Sequence, residues 1–127
     1  MARWEQVAEF TVWGQPKSKG RPRFTKQGYA YTPKTTRQAE TAVLDAFEIE
    51  CPLWEPTLEK VRLEVDIHYK GKAIGDGDNV YKLVSDALNG RAYMDDKQVR
   101  KGGFEVFEGR GNFACVKVEF FIFKGDL

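Results

Sequence analysis

The sequence predicts an α+β domain, a mixed β-sheet with two α-helices packed on it, and three observations carry that prediction. Residues 61–69 alternate strictly: Val61, Leu63, Val65, Ile67 and Tyr69 are apolar, while Arg62, Glu64, Asp66 and His68 are polar. That is the period of a half-buried strand. Residues 35–50 instead place Ala39, Ala42, Val43, Ala46 and Phe47 at helical spacing. Residues 78–89 form a second helical pattern, with Val80, Leu83, Val84, Ala87 and Leu88 on one face and Asp78, Asn79, Lys82, Ser85, Asp86 and Asn89 on the other. At 127 residues the chain is read as one domain, residues 1–127, able to bury about two thirds of its unfolded surface.

Taken in order, residues 7–13 read as a first strand, ended by Gly14 and Pro16. A Gly- and Pro-rich stretch follows, and residues 29–32 form a short strand closed by Pro33. The first helix ends before Pro52 and Pro56, and the alternating strand then leads into a loop over residues 71–75. Asp78 is placed as N-cap of the second helix, with Asn89-Gly90 as its C-terminal stop. Residues 99–107 and 112–123 read as two strands joined around Gly109 and Gly111 as a hairpin. The last strand is apolar on both faces at its end, through Phe120 and Ile122 on one and Phe121 and Phe123 on the other. It is therefore central in the sheet or covered by another element or a partner.

Composition excludes several classes. Cys51 and Cys115 are far apart without metal-ligand spacing, which reads as reduced thiols of a cytosolic protein. No window approaches the roughly 20 apolar residues of a membrane span, and residues 1–10 have no apolar signal core. Net charge is only +1, but its distribution is uneven. Between residues 17 and 39 stand seven basic residues (Lys17, Lys19, Arg21, Arg23, Lys26, Lys34, Arg37) and no acidic one, leaving 13 basic against 19 acidic elsewhere. Phe24, Tyr29 and Tyr31 are interleaved with them. Such a segment suits phosphate contacts with base stacking; its blander reading is a solvated basic loop.

The acidic residues carry the chemistry. Asp76 and Asp78 precede the second helix, and Asp95 and Asp96 follow it. They meet at the helix start if residues 92–98 double back, so that the 71–78 loop meets the 94–96 turn. Crowded carboxylates repel unless a cation neutralises them, and oxygen-only donors point to Mg²⁺ or Mn²⁺ rather than zinc. An EF-hand beginning at Asp76 fails, because its sixth position is Tyr81 and its twelfth is Ala87. Each acid also has a plain role open to it, as a cap or a turn residue. Lys82 can contact a scissile phosphate or simply bridge to Asp78 or Asp86 one turn away. His68 is placed on the polar face of its strand, as a surface or supporting residue rather than a ligand.

The blocks Asp76-x-Asp78-Asn79-x-x-Lys82, Asp86-Ala87-Leu88-Asn89-Gly90 and Asp95-Asp96-x-Gln98-Val99, with the G-x-P-x-x-K-G-R-P-R run of residues 14–23, resemble the RusA family of Holliday junction resolvases. The resemblance implies a RusA-like fold, Asp76, Asp78 and Asp96 as metal-binding catalytic carboxylates, and Lys82 as a catalytic lysine. It favours Asp96 over Asp95, which spacing leaves open. It further implies Mg²⁺-dependent cutting of four-way DNA junctions by a homodimer, one nick per subunit, in recombination and repair, in a bacterial, phage or prophage setting. Lys17, Lys19, Arg21 and Arg23 are the expected DNA contacts. Two positions depart from the family's pattern: Gly75 stands where many members carry proline or a basic residue, and the Gly102-Gly103 pair is unexpected. The competing readings are a non-catalytic protein binding branched or single-stranded DNA, and a metal nuclease acting on flaps or RNA hybrids.

Overall fold

The computed structural model describes residues 1–19, 23–31, 33–109 and 113–126, with Arg23 described by its backbone. The elements in order are β1 (Ala2–Trp13), β2 (Arg23–Phe24), β3 (Ala30–Tyr31), α1 (Lys34–Glu50), β4 (Val61–Tyr69), α2 (Gly77–Leu88), a short 3-10 turn (Asp96–Gln98), β5 (Val99–Glu108) and β6 (Cys115–Asp126). β1, β6, β4 and β5 form one four-stranded sheet in that spatial order, and β2 pairs with β3 in a separate ribbon. β4 runs parallel to β5 and antiparallel to β6, so the sheet is mixed, and the two helices give the α+β class that the sequence predicts.

The strict alternation of β4 is explained by its position between β5 and β6. Val61, Leu63, Val65, Ile67 and Tyr69 are all buried, while the four residues between them are half-buried. The five-residue apolar face of α2 docks on the same side, every member buried. α1 adds Val43 and Phe47, and Phe47 meets Phe10 of β1 and Phe120 of β6 edge to face, with ring centroids 5.9 and 6.2 Å apart. The core therefore lies between one face of the sheet and the two helices.

Three details differ from the sequence reading. β5 and β6 do not form a hairpin, because β4 lies between them. α2 carries the chain back along the sheet so that β5 pairs parallel with β4, from Val61↔Val99 to Tyr69↔Glu108, and β6 then takes the other side of β4. Of the two glycines expected at their connection, Gly111 lies outside the described residues. The N-cap of α2 is Asp76 rather than Asp78, because the helix begins two residues earlier than that cap implies and Asp78 falls in its first turn. β1 begins at Ala2, five residues ahead of the apolar alternation. Its start pairs with the end of β6, Ala2↔Asp126 and Trp4↔Phe123, where side-chain pattern carries little signal.

β6 is central, which accounts for its two apolar faces. Val116, Val118, Phe120 and Ile122 enter the core, while Phe121 and Phe123 lie on the face away from the helices. There the Arg62 guanidinium lies 4.6 Å from the Phe121 ring, and Phe123 meets Trp4 at 5.4 Å and the Lys60 ammonium at 5.2 Å. The chain's own side chains thus partly cover both rings, and no helix lies over them.

Gly102 is explained by the β4–β5 pairing. It has φ +118°, and a Cβ there would stand within bonding distance of the Leu63 carbonyl. Just ahead of it the register shifts between Val61 and Arg62, so the strand bends against its neighbour at a point where only glycine fits.

Candidate active site and nucleic-acid interface

α2 positions the first group of functional candidates. Asp76 caps the helix with extended backbone and no side-chain capping bond, so its carboxylate is not consumed by the helix end. Asp78 projects from the first turn, and Lys82 pairs with it at 3.2 Å. Both side chains are about 60% exposed (59% and 62%), so this i,i+4 bridge contributes only tenths of a kcal/mol and leaves the ammonium available. The loop ahead of α2 is held in place: the Tyr69 hydroxyl donates to the Ile74 carbonyl at 3.0 Å, and the Ala73 N–H donates to Glu108 at 2.5 Å.

Gln98 builds the second group. Its side-chain oxygen accepts from the Met94 and Asp95 N–H groups at 2.9 and 2.8 Å, and its amide nitrogen donates to the Thr57 and Glu59 carbonyls at 2.8 Å each. Asp95 caps the 3-10 turn by accepting from the Lys97 N–H at 3.0 Å. This contact, with a second from Asp96, holds the Asp95 carboxyl below the usual range. The neighbouring Asp95 carboxylate pushes Asp96 upward. Asp95 is thus engaged in the cap, and Asp96 stands beside it in contact with its carboxyl. The signal for Gln98 was present in the sequence as a D-x-x-Q capping box.

These two groups stand at opposite ends of α2. The parallel β4–β5 register puts residues 71–76 beyond one end of the sheet and residues 94–98 beyond the other, and the 12 residues between them span about 18 Å at 1.5 Å per residue. Asp96 lies instead near Asp86, in the last turn of the helix, and near Lys19. The chain after Gly90 does not double back to the helix start. Among the described residues, no three His, Cys, Asp or Glu side chains are close enough to hold a metal ion. The donor chemistry suits a hard cation, but a single copy of the chain does not assemble Asp76, Asp78 and Asp96 around one.

Glu40 was not singled out from the sequence, and Asp86 was read as part of the family block and as a possible partner of Lys82, not of Lys19. Asp86 forms an ion pair with Lys19, and Glu40 of α1 stands close enough that burial, and then Asp86, raise its carboxyl. Nothing in the sequence ties Lys19 to Asp86, or Glu40 to that helix. Behind them Tyr93 is fully buried, its hydroxyl donating to the Ser85 carbonyl at 2.6 Å, and burial raises its pKa strongly.

The basic segment crosses this helix. Pro16 is buried, Lys17 is exposed, and the Lys19 N–H donates to the Asn79 carbonyl at 3.1 Å. Arg21 lies outside the described residues, as does the side chain of Arg23. The β2–β3 ribbon holds Phe24, Tyr29 and Tyr31 exposed at 69%, 73% and 44%, which makes them available for stacking. His68 stacks on Phe107 with centroids 4.6 Å apart on the far face of the sheet, away from these groups. Cys51 and Cys115 are free thiols. No helix among the described residues is long and apolar enough to cross a membrane.

Fold and site together define a mixed-sheet α+β domain in which an acidic helix is crossed by a basic, aromatic-bearing arm. The chain belongs to the endodeoxyribonuclease RusA family, whose model matches residues 14–119 and so covers the arm, both helices and both acidic groups. Membership makes it an enzyme, an endonuclease of the Holliday junction resolvase class acting on junction DNA. A search of curated proteins finds no match.

Proposed function

We propose that the protein resolves four-way DNA junctions by paired, symmetric nicks as a homodimer, using Mg²⁺ or Mn²⁺, in recombination and repair in the cytoplasm of a bacterium carrying a host, phage or prophage gene. The observation that carries this reading is the division of the acids between the two ends of α2. A second copy related by a dyad can bring its Asp96 turn to the Asp76–Asp78 end of the first, and the reverse holds at the second site, so that dimerisation completes two equivalent metal sites. Two sites related by a dyad match the approximate two-fold symmetry of a four-way junction. When bound, the ion supplies charge stabilisation and activation of water for attack on phosphorus.

The chain's own residues do the rest. Lys82, exposed beside Asp78, is placed to contact the scissile phosphate. Lys17, Arg21 and Arg23 neutralise backbone phosphates on the arms of the junction. The test is cleavage of a labelled four-way junction with Mg²⁺ and with EDTA, beside linear duplex and flap DNA. Paired nicks in the junction with Mg²⁺ alone are expected. Binding without cutting in either condition, or preferred cutting of flaps, refutes the proposal.

A further inference from the structure

We infer that Lys19 is a positioning residue, clamping the basic arm onto α2 through Asp86 instead of contacting DNA. This rests on the reading of the arm as a DNA-binding element, and it changes the role of one residue expected to bind phosphate. Three contacts lie along the same stretch of chain. Ser18 approaches Gly75 so closely that a Cβ at Gly75 would stand 2.7 Å from the Ser18 Oγ, and Gly75 itself has φ +84°. Next, the Lys19 N–H donates to the Asn79 carbonyl in the first turn of α2. Finally, the Lys19 ammonium reaches Asp86, about two turns further along the helix.

The surroundings of that ammonium hold it there. Glu40 and Asp96 stand near it in addition to Asp86, so three carboxylates from α1, α2 and the 94–98 turn face one cation. Lys82, further up the same helix, is paired with Asp78. Withdrawing Lys19 to a phosphate leaves Asp86 without its partner, beside both Glu40 and Asp96. Lys17 has no such partner among the described residues and remains free for DNA. The arm is therefore fixed to the helix that bears Asp78 and Lys82, and the phosphates it holds are set in register with them. Gly75 is accounted for as well, since its φ of +84° favours glycine and a side chain there would displace at least the Ser18 hydroxyl.

The test uses the full chain and four variants: Lys19→Met, Asp86→Asn, the reversed pair Lys19→Asp with Asp86→Lys, and Lys17→Ala. In the DNA-free protein, hydrogen exchange at the Lys19 amide should quicken about threefold in Asp86→Asn, the loss expected of a half-exposed ion pair. The reversed pair should restore the slow rate. In junction binding, Lys17→Ala should lower the salt slope by about 0.9, while Lys19→Met and Asp86→Asn leave it unchanged and lower kcat. Unchanged exchange in Asp86→Asn, or failure of the reversed pair to restore it, overturns the clamp. So does a slope lowered by Lys19→Met with Asp86→Asn silent, which would mark Lys19 as a phosphate contact. Should the wild-type protein not cut junctions, the proposed function fails, and the exchange rates still decide the clamp.

Discussion

Asp78→Asn and Asp96→Asn are each expected to abolish junction cutting alone, yet a mixture of the two should recover activity. The geometry sets the expectation. Ligands of one Mg²⁺ lie about 2.1 Å from it, whereas Asp78 and Asp86, beside which Asp96 stands, are about 12 Å apart along the helix, beyond the reach of two aspartate side chains. If, in the proposed dimer, Asp78 of one copy works with Asp96 of the other, a mixed dimer has one site carrying both substitutions and one carrying neither. Random exchange would make about half of such dimers mixed, so about a quarter of all sites would be intact. The assay is to unfold equal amounts of the two variants together in urea, refold them, and follow cleavage of a labelled junction. Subunit exchange is verified by capture of a tag on one variant. The recovered activity should appear as single nicks, because the second site of each mixed dimer is dead. Verified mixed dimers with no recovered nicking would show that the acids act within one copy, and the division read from α2 would be wrong.

Replacing Lys82 by Ala should cost at most about 0.5 kcal/mol of stability in urea titration, given its exposed pair with Asp78, while turnover falls about a hundredfold with metal binding retained. Gly102→Ala should destabilise by about 3 kcal/mol or more, through collision with the Leu63 carbonyl and a φ that alanine resists; an unchanged urea midpoint would refute the close approach. Replacing Lys17, Arg21 and Arg23 together by Ala should flatten the plot of log affinity against log salt by about 0.9 per lost phosphate contact. Stability should also fall above pH 10. Burial pushes the half-buried Tyr81 hydroxyl from 10.0 up to about 12, and burial raises Tyr93 too, so below pH 10 folded and unfolded chains both hold these protons. Above it the unfolded chain ionises first, and Tyr81 alone removes about 1–2 kcal/mol by pH 12 after allowance for solvent screening. A flat urea midpoint between pH 9 and 11.5 would contradict this.

Much of the fold was legible because the sequence pattern and the final environment agree. β4 was read to the residue, since Val61 to Tyr69 face a core on one side only. The apolar stripe of α2 was complete for the same reason. The pairing of β5 was not legible. Its burial does not alternate cleanly, Gly102 and Gly103 interrupt it, and a short connection between two strands reads locally as a hairpin whether or not a third strand lies between them. The two-faced apolar end of β6 fitted a central strand as well as a covered one, and did not say which strands would be its neighbours.

The site shows the same limit from the other side. Residue types and spacing within one element were readable: Asp78 with Lys82 at i,i+4, and Asp95 with Gln98 as a cap. Which ends of which elements meet was not, because that depends on strand order. A parallel β4–β5 pair joined by one helix fixes the issue without any side chain being consulted. The strand that follows the helix must start at the end of the sheet where the preceding strand started, so the residues before α2 and those before β5 are separated by the length of that helix. Any acid on the 71–76 loop is thereby kept from any acid on the 94–98 turn within one copy. The arm, by contrast, is not bound by strand order and reaches along α2. Lys19 does so, with its backbone at Asn79 and its ammonium at Asp86. Among the described residues, Lys19 of the basic segment therefore links the first turn of α2 to its last turn.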